Sequence, residues 1–328
     1  MSFKTPTFWY QKNSWQSQWL APFSALYGAV SAQRMKKRPR YVSKAKVICI
    51  GNLTAGGSGK TPVALALKQL LSAQSPIYLS RGYGGSLKGP TLVSIDHRAD
   101  QVGDEPMLLA RAAPTIVSKD RIKGAKLAED HHAALIIMDD GFQNPSLFKD
   151  IRICVIDGGS AFGNMKCIPA GPLRQPLALG LVHADIFVTI GTLSDDVKRL
   201  LPKATPVFEA TIEADISALP EDYKDQKYVA FSGIAHPTKF ENTLKDIGAQ
   251  LIKSSHFADH HAYSVKELRI LMDYALSASC RLITTEKDIV KIPDGPWMTH
   301  IDVLPIRLKF KAESKLKILL ERALAGPL

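Results

Sequence analysis

Acidic residues are absent from the first 95 positions of this 328-residue chain; the first is Asp96. That stretch holds thirteen Lys or Arg, so it carries the whole of the net charge of +11 and the remainder is close to neutral. A block this one-sided suits an anionic partner (a lipid headgroup, a nucleotide phosphate or nucleic acid), or else a solvated basic surface. Cysteine is scarce: Cys49, Cys154, Cys167 and Cys280 are scattered without a CxxC pair. This excludes a disulfide scaffold and a structural zinc site, and points to a reducing compartment. Internal repeats and low-complexity tracts are missing, and the apolar content is ordinary, which excludes solenoids and long disorder. No apolar run is long enough to span a bilayer: Leu20–Ala32 has thirteen residues, where about 20 are needed.

What that short run has around it is informative. Trp9, Trp15 and Trp19 crowd the first 19 positions with Phe8 and Tyr10, and Arg34, Lys36, Lys37, Arg38 and Arg40 follow. Aromatics, a short apolar helix and a basic flank fit a helix lying in the interface of an anionic membrane. A helix packed on its own domain is the alternative. The basic cluster follows the apolar run instead of preceding it, which argues against an export signal and puts the expected surface on the cytoplasmic side.

From Lys46 onward, short β-rich runs alternate with helical stretches. The strand candidates are 47–51, 76–80, 114–118, 134–140, 151–157 and 184–191, with helices such as Pro62–Ala73 and Glu105–Ala113 between them. Apolar strands alternating with helices predict an α/β fold: a parallel sheet of P-loop NTPase type covered by helices on both faces. The character changes near residue 204. Runs at 227–234 and 281–288, with a helix at Lys266–Ala278, read as a second, smaller α/β domain. The expected division is a membrane helix at 1–40, a kinase-type domain at 41–204, linker strands at 205–214 and 300–311, the smaller domain at 215–299 and a C-terminal helix at 312–328.

The strongest local signal is VICIGNLTAGGSGKTP. A β-run ends at Gly51, a loop carries Gly56, Gly57 and Gly59, and Lys60 and Thr61 open a helix. Glycines let backbone N–H groups turn toward phosphate oxygens, and the helix N-terminus adds positive potential. Residues Thr54, Ala55, Gly56, Gly57, Ser58, Gly59, Lys60, Thr61 and Pro62 are therefore expected to hold the phosphates of ATP, with Lys60 on the β- and γ-phosphates and Thr61 on Mg²⁺. The strict pattern has Gly where this chain has Thr54. The run at 135–138 delivers Asp139 and Asp140 to a strand end, where such acids hold Mg²⁺ beside a phosphate loop. Several classes share this apparatus. A GTPase lacks its base-reading NKxD, because TEKD (285–288) is one residue short. A membrane-associated ATPase with a deviant loop, a nucleic-acid-binding ATPase and an ATP-dependent kinase remain.

Nine ordered motifs bring a resemblance along nearly the whole chain: GNLTAGGSGKTP, SRGYGG, VGDEP, SKDR, MDDGFQN, PAGPLR, FSGIAHPTKF, FADHHAY and TTEKD. In these the sequence resembles the tetraacyldisaccharide 4′-kinase (lipid A 4′-kinase) family. The resemblance implies transfer of the γ-phosphoryl of ATP, with Mg²⁺, to the 4′-hydroxyl of an acylated glucosamine disaccharide 1-phosphate. It implies a peripheral enzyme on the cytoplasmic face of the inner membrane, without nucleic acid or an obligate protein partner. It also implies that Asp104 of VGDEP lies at the acceptor hydroxyl and works with a histidine of DHH, His260 being preferred to His261 and Lys60 completing the catalytic set. By local sequence alone, a cap for the helix starting near Pro106 is the alternative reading of Asp104. Arg81, Arg121 and Gln143 are expected on the substrate side, the guanidiniums on phosphate oxygens, with Glu105 and Gln143 also placed to orient the base or the metal's waters. The chain has Asn144 and Gln175 where many members have His and Glu. The TTEKD run has no evident chemistry.

Overall fold

The structure, a computed structural model, describes residues 5–326. Among the described residues the strands are β1 (Lys46–Gly51), β2 (Ile77–Ser80), β3 (Thr91–Leu92), β4 (Thr115–Val117), β5 (Leu135–Asp139), β6 (Ile151–Asp157), β7 (Ile186–Ile190), β8 (Val207–Ala214), β9 (Lys227–Ser232), β10 (Gln250–His256), β11 (Arg281–Thr285), β12 (Ile301–Leu304) and β13 (Ile306–Phe310). They form a nine-stranded sheet, ordered β13-β8-β7-β6-β1-β5-β2-β4-β3, and a four-stranded sheet, ordered β10-β9-β11-β12.

Strand β1 shows how the larger sheet is held. Ile48 and Ile50 face Val63 and Leu67 of the helix Lys60–Leu70 and Leu316 and Leu320 of the helix Glu313–Ala325. Val47 and Cys49 face the other way, among Leu79, Ile136 and Met138 and against Ala125 and Ala128 of the helix Arg121–Asp130. A strand covered on both faces has to be apolar at consecutive residues. Full burial of each isoleucine contributes about 2 kcal/mol. Strands β1, β2 and β4 to β8 are parallel, and only the edge strands β3 and β13 run antiparallel. The loops after β1, β2, β4 and β5 therefore emerge along one edge of the sheet, where ligands of such sheets bind.

The small sheet is parallel throughout. Its edge strand β10 has no counterpart in the sequence reading, because QLIKSSH is polar and largely exposed and shows no apolar run. The β-rich stretch at 300–310 is two strands in different sheets. Pro305, which cannot donate to a ladder, marks the break. The stretches expected as linkers are thus sheet members: β8 pairs antiparallel with β13 from Ala214↔Ile306 to Ala210↔Phe310. The chain leaves the large sheet at Ala214 and returns at Ile306, closed by Asp215 N–H donating to the Pro305 carbonyl at 2.9 Å.

The N-terminal helices Trp15–Trp19 and Ala21–Met35 lie on the larger body. Ser24 Oγ donates to the Cys167 carbonyl at 2.7 Å and Ser31 Oγ to that of Arg174 at 2.9 Å. Trp9 is turned inward, its indole N–H on the Pro169 carbonyl at 2.9 Å. The large apolar residues point outward instead: Trp15 is 68% exposed and Trp19 78%, and Phe23, Leu26 and Val30 are exposed beside them. Among the described residues no helix is long and apolar enough to cross a membrane.

Candidate active site

The phosphate loop runs from the end of β1 to the helix Lys60–Leu70. Gly56 and Gly59 take φ values of +112° and +80°, a region closed to most side chains. A Cβ on Gly59 would stand 2.2 Å from Ile190 Cδ1, so β7 closes the space as well. The loop is braced from outside. Ala55 N–H donates to the Pro172 carbonyl at 2.7 Å, Thr54 bridges Leu173, and Asn52 Nδ2 donates to the Thr54 carbonyl at 2.7 Å. Lys60 Nζ reaches Asn52 Oδ1 at 3.3 Å and Asp140 at 3.7 Å.

Register puts Asp139 of β5 beside Ile50 of β1. Asp139 is buried and neither carboxylate oxygen has a hydrogen-bond partner. Burial, and then the negative charge of Glu105, push its carboxyl up to about 7. Ser58 Oγ and Arg121 Nε are likewise buried and unpartnered. Native proteins pair such groups, so this concentration at a glycine loop marks a place where polar ligands belong. Asp139 and the buried Thr61 suit a divalent cation that takes its other oxygens from phosphates and water. Among the described residues no cluster of three His, Cys, Asp or Glu would hold a metal unaided.

Two of the expected site residues have partners within the fold. Asp140, expected to join Asp139 on the metal, has a φ of +50° and stands 3.7 Å from Lys60. It pairs with Arg174 at 2.7 Å. Burial raises its carboxyl, but Lys60 and Arg174 outweigh that and hold it at about 2. Gln143, expected at the substrate, donates through Nε2 to the Asn52 carbonyl at 2.8 Å, which braces the phosphate loop. Arg121, at 3% exposure, donates to the Ser118 carbonyl behind β4. Burial lowers its guanidinium, and Asp140 and Asp139 oppose the shift. Arg81, which follows β2, is exposed. Asn144 caps its own turn, accepting from Ser146 N–H at 2.9 Å. Gln175 is buried with both amide atoms unpartnered.

The second half of the site spans the two sheets. Asp104 does not cap its helix; Gly103 does, with φ +96°, and Asp104 opens the first turn of Asp104–Ala110 at 4% exposure. His260, itself at φ +60°, brings Nδ1 to 2.9 and 3.0 Å from the two Asp104 oxygens. His261 is occupied elsewhere: its Nε2 meets Glu267 at 3.1 Å and its ring stacks on Phe257 at 4.7 Å. Burial alone would raise the Asp104 carboxyl, yet the His260 hydrogen bond and the Lys287 charge bring it down to about 2. The same bond raises the His260 imidazole against the opposing effect of burial. The exposed ring of Tyr83 meets His260 edge-on at 5.6 Å.

A phosphate loop, an unpaired carboxylate beside it and a carboxylate–imidazole pair across a cleft describe a phosphotransferase in general. The sequence profile of the Tetraacyldisaccharide-1-P 4'-kinase family matches residues 16–325. The chain belongs to that family. Among similar proteins are the tetraacyldisaccharide 4'-kinases of Bradyrhizobium sp. strain ORS 278, 40% identical over 98% of each chain, and of Rhodospirillum rubrum, 38% identical over 99% of each. The crystal structure of LpxK from Aquifex aeolicus in complex with ATP is similar in fold, with a TM-score of 0.77 at 29% identity, covering 94% of this chain and 99% of that one. The fold is thus that of a P-loop kinase, and the chain is a lipid kinase.

Signals for parts of this site were present but unreadable in the sequence. Lys287, Arg174 and Asn52 sit in recognised motifs, but nothing in a linear string says which carboxylate or carbonyl each will meet.

Proposed function

We propose that the protein transfers the γ-phosphoryl of ATP to the 4′-hydroxyl of a tetraacyldisaccharide 1-phosphate, at the cytoplasmic surface of the inner membrane. The observation that carries this reading is the Asp104–His260 pair, whose neighbour Glu105 acts by its charge on the unpartnered Asp139 of β5. Backbone N–H groups of residues 56–61 and the Lys60 ammonium bind the triphosphate. Thr61 and Asp139 would hold Mg²⁺, which when bound neutralises charge developing on the phosphate oxygens. Arg121, whose charge acts on Asp139 and Asp140, and Arg81, which follows β2, supply further cations on this side of the sheet.

Asp104 takes the proton of the attacking hydroxyl, and the new O–P bond forms as the bond to the leaving ADP breaks. A carboxylate held at about 2 is a weak base, but it suffices here. In a loose phosphoryl-transfer transition state the hydroxyl becomes strongly acidic only as its bond to phosphorus forms. The need is for an ionised, fixed acceptor, which the His260 hydrogen bond supplies. The outward aromatic face of residues 15–30, with the basic residues at 34–40, is the surface that meets anionic lipid.

The test uses terminally labelled ATP, Mg²⁺ and the disaccharide lipid in mixed micelles. Label in the lipid is expected, lost on prior phosphorylation of the 4′-position. Label released only as free phosphate would make the protein an ATPase and reject the reading.

A further inference from the structure

Three residues of the turn Thr285–Asp288 have hydrogen-bond partners in the fold. Thr285 Oγ1 caps the turn, accepting from Asp288 N–H at 3.1 Å. Glu286 accepts from Ile306 N–H at 3.1 Å and pairs with Arg307 at 3.3 Å, which ties the turn to β13 of the large sheet. Asp288, fully buried, accepts from Gly233 N–H and from the Tyr263 hydroxyl at 3.0 Å each, and pairs with Lys291 at 2.7 Å. These contacts fasten the loop that carries His260. Lys287 alone reaches across the cleft. Its Nζ stands 3.7 Å from Asp104 Oδ2, 3.7 Å from Glu105 Oε1 and 3.9 Å from Asp259 Oδ1.

We infer that Lys287 is a positioning residue for phosphoryl transfer: reaching over from the smaller domain, its charge keeps Asp104 ionised and restrains His260 from taking up a proton. The inference rests on reading Asp104 as the base. Without the ammonium, the carboxylates of Asp104, Glu105 and Asp259 would lose their shared cation, leaving the imidazole and the Lys291 charge to offset them. Such crowding is relieved by protonation, and His260 is its first target, since it lies 2.9 Å from Asp104 and 3.7 Å from Asp259. The groups facing His260 are these two carboxylates, Lys287 and the edge of Tyr83. Lys287 is therefore the cation that opposes protonation of the imidazole. All three of its contacts are too long for hydrogen bonds, so it acts as a charge and not as a fixed donor. That also accounts for a motif lysine with no hydrogen-bond partner among the described residues.

The experiment follows the titration of His260 by histidine NMR in the full-length, nucleotide-free protein, alongside steady-state kinetics with ATP and the lipid. In Lys287→Met the His260 midpoint should rise measurably above that of the parent, because a cation that opposes its protonation is gone. The kcat at neutral pH should fall roughly tenfold while the KM for ATP stays within about twofold. Lys287→Arg should keep a midpoint near that of the parent. Should the Met variant not fold, Lys287→Gln serves in its place. An unmoved midpoint, an unchanged kcat, or a KM for ATP that rises while kcat holds would overturn the inference. Asp104→Asn separates the two readings: full activity there removes the base itself, whatever Lys287 does.

Discussion

Replacing Asp104 by Asn keeps the shape of the side chain and removes its charge. In the native site this carboxylate accepts from His260 at 2.9 and 3.0 Å and from Glu105 N–H at 3.0 Å, with Lys287 at 3.7 Å. Its carboxyl is depressed from 3.8 to about 2, which corresponds to about 2 kcal/mol of stability. Because the folded value lies below the unfolded one, that stability is present above about pH 4 and is lost as pH falls through about 2. The raised His260 imidazole reports the same bond from its other end. That contribution is full below the ordinary histidine value and lost as pH rises through the folded one, and it is not to be added to the first. Asp104→Asn should thus lower the unfolding free energy at pH 6 by about 2 kcal/mol. Loss of a general base costs about 10²–10⁴ in rate, so kcat should fall by about that factor. ATP affinity should stay within about twofold, because the phosphate loop is untouched. Denaturant melts, nucleotide titration and initial rates in lipid micelles measure the three. A kcat within about fivefold of the parent, or a loss confined to ATP binding, would refute the reasoning.

Other outcomes follow from the same geometry. Asp139→Asn should abolish most Mg²⁺-dependent turnover yet stabilise the nucleotide-free protein by about 1–3 kcal/mol, because an unpaired buried carboxylate is costly. The parent carboxyl is raised to about 7, so its contribution is greatest below about pH 4 and declines as pH rises to about 7; identical pH slopes in parent and variant melts would refute this. Changing Trp15, Trp19 and Phe23 together to Ser should leave the melting temperature unaltered, since these side chains point outward, and should reduce co-sedimentation with anionic vesicles. Unchanged co-sedimentation would reject the membrane face.

Much of the large sheet was legible because its central strands are buried on both faces and read as uninterrupted apolar runs. The phosphate loop was legible because glycines at fixed offsets before a Lys-Thr pair serve one kind of ligand. Legibility failed where burial is one-sided or absent. Strand β10 is polar and exposed, β3 is two residues long, and Pro305 was hidden within a single β-rich run. It failed again where neighbours in sequence have different partners: Asp139 and Asp140 look alike on paper, but the first is buried and unpartnered while the second meets Arg174 and Lys60. The N-terminal helix is held on the body by its serines, while its large apolar residues face out.

By itself the sequence determined the fold class, the phosphate-binding loop and, through ordered motifs, the family, because each depends on local spacing or on a contiguous pattern. The tertiary structure alone decided which charges meet. Asp104 finds His260 and Lys287, about 150 to 180 positions further along, only because the chain leaves the large sheet at β8, builds a second sheet and returns at β13. Electrostatic coupling depends on distance in space, and separation along the chain does not record it.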